Sequence, residues 1–177
     1  MSDAQGRELG RLVGTQGNVT AAAITGDGKR ALTGGMDNTV RLWDVDKAKE
    51  LFCLRGQEGS VTYVQFAPDG ATAFSGDDQG RIIAWDLIHG TQLPAFRPKP
   101  KHKEVRFLAV SADGRCLLST GQGKEGVSDN LCLWNAKTGD LLLEDSSVSA
   151  HGESVALSSD GRWALIAEGS SFDLWRL

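Results

Sequence analysis

Little in this sequence commits it to chemistry. Its 177 residues hold three histidines, three cysteines and one tyrosine. Cys53, Cys116 and Cys132 are an odd number at no metal-ligand spacing, so they read as small apolar residues of a reducing compartment. His89, His102 and His151 have no cysteine or carboxylate at the spacings that metal sites use. No run approaches the ~20 apolar residues of a membrane span. The opening MSDAQGRELGR is polar and lacks the apolar core of a secretory signal, so a cytoplasmic location is the expectation. A basic excess is also missing: 19 Lys and Arg stand against 23 Asp and Glu, and a net charge of −4 argues against nucleic acid as a partner.

The glycine-rich stretches are equally poor in chemistry. Neither TGGMDNT (33–39) nor STGQGKEG (119–126) has the phosphate-loop pattern leading into a helix. SGDDQG (75–80) is dense in oxygen but brings about three ligands, short of the six to eight that calcium takes. No cofactor, no metal and no catalytic group are expected, and the chain reads as a non-enzyme.

What is present is repetition. AITGDGKRAL (23–32), QFAPDGATAF (65–74), AVSADGRCLL (109–118) and ALSSDGRWAL (156–165) each set Asp-Gly between two apolar runs, a strong hairpin signal. Their aspartates, Asp27, Asp69, Asp113 and Asp160, recur at intervals of 42, 44 and 47. Trp43, Trp85, Trp134 and Trp175 recur at intervals of 42, 49 and 41. Two independent landmarks thus share one period. Each repeat lays out as four strands; in the first they fall near 19–24, 30–33, 40–43 and 50–54. In TVRLWD, Val40 and Leu42 share one face and Thr39, Arg41 and Trp43 the other. The tryptophan ends its strand, and the aspartate after it hydrogen-bonds the turn backbone.

A four-stranded repeat of this length ending in Trp-Asp resembles the WD-repeat family of β-propellers, and GDGKRALTGGMDNTVRLWD is close to that family's blade text. The resemblance implies an all-β propeller of four four-stranded blades. It also implies structural blade residues: Thr33, Asp37 and Trp43; Ser75 and Trp85; Ser119 and Trp134; and Trp175. The family often ties a blade with a His, a Ser or Thr, an Asp and the Trp. Thr15 and Gln57 stand where the first two histidines belong, and Gln79 takes the second blade's Asp slot beside Asp78. His102 is one position off, with Asp129 near the lengthened third turn, and Ile166 occupies the fourth blade's Ser slot. The expectation is that no blade carries the full set.

GRELGRLVG (6–14) aligns with AKELFCLRG (48–56), so the chain is expected to begin on an outermost strand and end on FDLWRL, a third strand. The predicted division is a closing strand at 1–14, blades at 15–56, 57–96 and 97–145, and the first three strands of a fourth at 146–177. The N-terminal strand would complete the last blade. Either four blades close one ring, or this half-ring pairs with a second copy into eight, and a cut from a longer propeller is the further alternative. Wedge geometry favours pairing, giving a homodimer through the terminal blades.

The resemblance implies a protein–protein interaction scaffold that presents loops on a rigid propeller face to protein or peptide partners. Alternatives are a propeller with a hydrolytic or regulatory role attached to an enzyme, and a self-assembling structural protein. Candidate partner-binding residues lie on one loop face: Asp37, Asp77, Asp78, Glu125 and Asp129, with the basic lobe Arg97, Lys99, Lys101, His102 and Lys103.

Overall fold

In a computed structural model, residues 11, 12, 14, 17–96, 98, 99, 101–123, 130–146, 152–168 and 171–177 are described. They form fifteen strands: β1 (Val19–Ile24), β2 (Arg30–Gly35), β3 (Thr39–Asp44), β4 (Lys49–Arg55), β5 (Val61–Phe66), β6 (Thr72–Asp77), β7 (Ile82–Asp86), β8 (Thr91–Gln92), β9 (His102–Val110), β10 (Cys116–Gly123), β11 (Asn130–Asn135), β12 (Leu141–Asp145), β13 (Gly152–Leu157), β14 (Trp163–Glu168) and β15 (Ser171–Arg176). They assemble into three four-stranded sheets and one three-stranded sheet, β13-β14-β15. Each sheet is an antiparallel meander in chain order, hence one blade. The strand expected to complete the fourth blade falls largely outside the described residues.

The Asp-Gly pairs make the β1–β2, β5–β6, β9–β10 and β13–β14 turns. In the first, Gly28 N–H bonds the Thr25 carbonyl at 2.8 Å, while Asp27 Oδ1 accepts from Thr25 Oγ1 at 2.6 Å and from Lys29 N–H at 3.0 Å. Gly28 adopts φ of 72°, which an L side chain resists, and Gly70, Gly114 and Gly161 repeat it. The residue after each of the first three tryptophans makes the turn expected of it. Asp44 accepts from Lys47 N–H, Asp86 from Ile88 and His89 N–H, and Asn135 from Lys137 and Thr138 N–H.

Blades stack in order: β1 packs on β5, β5 on β9 and β9 on β13. Three apolar cores fill the three junctions. Leu32, Val40, Leu42 and Leu54 of blade 1 meet Val64, Phe66 and Trp85 of blade 2. Phe74, Ile82 and Ala84 then meet Leu108 and Trp134. Leu118, Leu131 and Leu133 meet Val155, Leu157 and Trp175. At the inner strands a hydroxyl ties blade to blade: Thr20 donates to the Val61 carbonyl, and Thr62 to the Val105 carbonyl at 2.5 Å. The result is an open arc of blades in which no sheet closes on itself. Blade 2 departs from its neighbours at the rim. Its outermost strand, β8, is two residues long, because the chain turns away at Pro94 and drives Phe96 into the core edge-on to Phe74, with ring centroids 5.4 Å apart.

Candidate interaction surface

Meander order places two types of segment at the same end of the blades: turns such as β2–β3 and β6–β7, and the connectors β4–β5 and β8–β9. A single buried carboxylate organises the centre of this end. Asp77 is fully buried; its Oδ1 accepts from Gln79 N–H at 3.0 Å and Arg81 N–H at 2.8 Å, its Oδ2 from Glu58 N–H at 3.2 Å and Gly59 N–H at 3.3 Å. Turn and connector are thereby locked together. Around it Asn38 Nδ2 reaches the Glu58 carbonyl at 3.4 Å, Asp78 N–H the Ser60 carbonyl at 3.0 Å, and Arg81 pairs with Glu58. Met36, exposed in the β2–β3 turn, adds an apolar contact point.

Several residues expected on this surface serve the blades instead. Asp77 was expected to face partners, yet its four backbone bonds hold it inside. His102 is likewise fully buried, and it completes a hydrogen-bonded set in blade 3. Trp134 Nε1–H and His102 Nε2 both meet Ser119 Oγ at 2.7 Å, and His102 Nδ1 meets Asn130 Oδ1 at 2.5 Å. Blade 3 therefore does carry a full tie, with Asn130 standing for the acid. The one-residue offset of His102 is absorbed by register shifts in the β9–β10 ladder.

Blade 2 achieves nearly the same with Gln57, whose Nε2 donates to Ser75 Oγ at 2.6 Å beside the Trp85 N–H at 2.7 Å. In blade 1 Trp43 donates to Thr33 Oγ1 at 2.9 Å; Thr15 lies outside the described residues. Asp37 accepts from Thr39 N–H at 3.2 Å and pairs with Arg41 at 3.2 Å, so it too is held within its blade. Among the described residues blade 4 shows no such tie: Ile166 fills the hydroxyl position, and the buried Trp175 Nε1 meets no hydrogen-bond partner.

Of the basic lobe, Lys99 and Lys103 are exposed, and Lys101 pairs with Glu144 at 2.7 Å. Asp78 is half-buried. Arg97, Glu125 and Asp129 lie outside the described residues. Glu58, Arg81, Asn38 and Met36 were missed in the sequence, because only the locked connector brings them to one place. His89 sits in the β7–β8 turn, its Nδ1 2.7 Å from Asp86 Oδ2, and this contact holds the Asp86 carboxyl below its usual range. Among the described residues no group of three or more His, Cys, Asp or Glu is placed to hold a metal ion, and no helix is long and apolar enough to cross a membrane.

The WD40 family (WD domain, G-beta repeat) matches residues 6–44 and 48–86, two spans offset by the same 42 residues as Asp27 and Asp69. No curated protein matches the chain. Many solved structures share the fold. One is the crystal structure of Ika8, a computationally designed protein, at 22% identity with a TM-score of 0.77 over 94% of this chain and 48% of that one. The chain thus spans about half the length of that solved structure.

Proposed function

Because this chain belongs to the WD-repeat family, whose repeats generally mediate protein interactions, we propose that it is a non-enzymatic scaffold for protein or peptide partners. The surface assigned to this role is the loop end built on Asp77. The observation that carries the reading is the double lock of turn and connector onto that one carboxylate. It presents Met36, Glu58, Arg81 and Lys103 on a scaffold already ordered, so little conformational entropy is lost when a partner binds.

The test is affinity capture with the full chain against a Met36→Asp/Lys103→Glu double variant and a control, Lys47→Glu, at the opposite end of the blades. A partner held by the intact chain and the control but lost from the double variant supports the assignment. Equal capture by all three, or by none, overturns it.

A second reading, self-assembly, is favoured by a separate observation: large apolar side chains stand exposed on both terminal blades, among them Ile24, Phe172 and Leu174.

A further inference from the structure

The repeat allows each exposed apolar residue of the end blades to be compared with its own copies inside the arc. One face of every blade looks toward the following blade. On the second strand of the blade that face carries Leu32, Phe74 and Leu118, all buried in the blade junctions; the fourth copy, Leu165, is 40% exposed. On the third strand it carries Val40, Ile82 and Leu131, all buried, while the fourth copy, Phe172, is 69% exposed. Leu42, Ala84 and Leu133 are buried next to these, and their fourth copy, Leu174, is 63% exposed.

The opposite face gives the mirror result at the other end. Phe66, Val110 and Leu157 on the first strands pack into the junction with the blade before, whereas the first copy, Ile24, is 62% exposed. Val64, Leu108 and Val155 do the same, and their first copy, Ala22, is exposed. Blade 4 thus ends in the face that blades 1 to 3 each bury against a neighbour. Blade 1 begins with the face that blades 2 to 4 each use to receive it.

The chain entering blade 1 keeps the same relationship. A methyl on Gly56 would touch Trp85 Cη2 at 3.4 Å, and a methyl on Gly14 would touch Trp43 Cη2 at 3.0 Å. Gly14 therefore lies against Trp43 of blade 1 as Gly56 lies against Trp85 of blade 2.

We propose that the occupant of both faces is a second copy of this chain: Leu165, Phe172 and Leu174 of each copy pack on Ala22 and Ile24 of the other, closing a two-fold ring of eight blades. The inference deepens the self-assembly reading and rests on it. A two-fold axis makes the two contacts identical, so a single complementary pair of faces closes the ring. Each contact continues a junction that the arc already makes three times. The open arc also matches just under half of a solved chain about twice its length. Closure buries apolar surface and removes both exposed sheet faces.

The experiment is the mass of the full chain in solution at micromolar concentration, for the intact protein and two charge variants. Leu165→Lys alters only the last face and Ile24→Glu only the first. The expected result is twice the chain mass for the intact protein, one chain mass for either variant alone, and return to twice the chain mass when the variants are mixed. On mixing, one contact is wild type and the other sets lysine against glutamate. Restoration also shows that both variants are folded. An intact protein that is monomeric, a dimer indifferent to both variants, or two monomeric variants that stay apart on mixing would each overturn the proposal. Because no loop residue is altered, these outcomes are independent of the capture experiment on the loop end.

Discussion

Trp134 donates its indole N–H to Ser119 Oγ across 2.7 Å, and both side chains are fully buried. Ser119 is also 2.7 Å from His102 Nε2, whose other nitrogen meets Asn130 Oδ1. An amide oxygen only accepts, so His102 Nδ1 carries the proton; in the neutral ring Nε2 then accepts from the serine hydroxyl. The relay runs from Trp134 through Ser119 and His102 to Asn130, across β11, β10 and β9 and back. Ser119→Ala removes the acceptor of the buried tryptophan N–H, at a cost of about 1–3 kcal/mol. Urea denaturation followed by tryptophan fluorescence measures it, and a loss below about 0.5 kcal/mol would show that the relay carries no stability.

Blade 4 permits the reverse experiment. Its Trp175 Nε1 is buried without a partner among the described residues, and Ile166 stands where blades 1 to 3 have Thr33, Ser75 and Ser119. In an ordinary apolar core, Ile→Thr is worse than Ile→Val, because it buries a hydroxyl at about 1–3 kcal/mol. Here the hydroxyl of Ile166→Thr meets a waiting donor. The Ile166→Thr variant should therefore be at least as stable as Ile166→Val in thermal melts, and a Thr variant less stable by 1 kcal/mol or more (a loss of the order that an unpaired hydroxyl causes) would refute the geometry.

Close approach between blades sets a third expectation. A Cβ on Gly76 would lie 2.7 Å from Val105 Cβ on the next blade, whereas nothing lies within 4 Å of one on Gly26. Gly76→Ala should destabilise by about 1–3 kcal/mol as an overpacked junction. Gly26→Ala should stay within about 0.5 kcal/mol of the parent. Comparison of the two denaturation midpoints is the check.

Cys132 lies on the face of β11 that looks toward blade 2, and burial pushes its thiol up to about 12. Because the thiolate is the reactive form, iodoacetamide at pH 8 should leave Cys132 unmodified in the folded protein and alkylate it after denaturation. Peptide mass mapping reads the outcome, and prompt labelling of Cys132 in the native state would contradict its burial.

Particular residues explain how far the sequence could be read. Asp-Gly turns and the Trp-terminated strands are local: each depends on a few neighbouring residues, so β1 to β4 lie within two residues of the strands expected at 19–24, 30–33, 40–43 and 50–54. The alternation Val40, Leu42 against Thr39, Arg41, Trp43 likewise needs only the pleat of one strand. His102 shows where this stops. Its offset made it look like a loop residue, and only the irregular pairing of β9 with β10 turns it into the core. Asp77 was read as a surface charge for the same reason, since two of the four backbone donors that hold it inside, Glu58 and Gly59 N–H, come from a connector 19 and 18 residues away.

The sequence by itself determined the period, the strands and the turn chemistry, because these follow from side-chain alternation and from backbone hydrogen bonds within a few residues. Only the tertiary structure decided which polar residues are buried and which apolar ones are left bare. Leu32 and Leu165 are the same residue at the same place in their repeats; one is fully buried and the other 40% exposed. Burial depends on whether another blade stands opposite, and that is a property of the arc, not of the repeat.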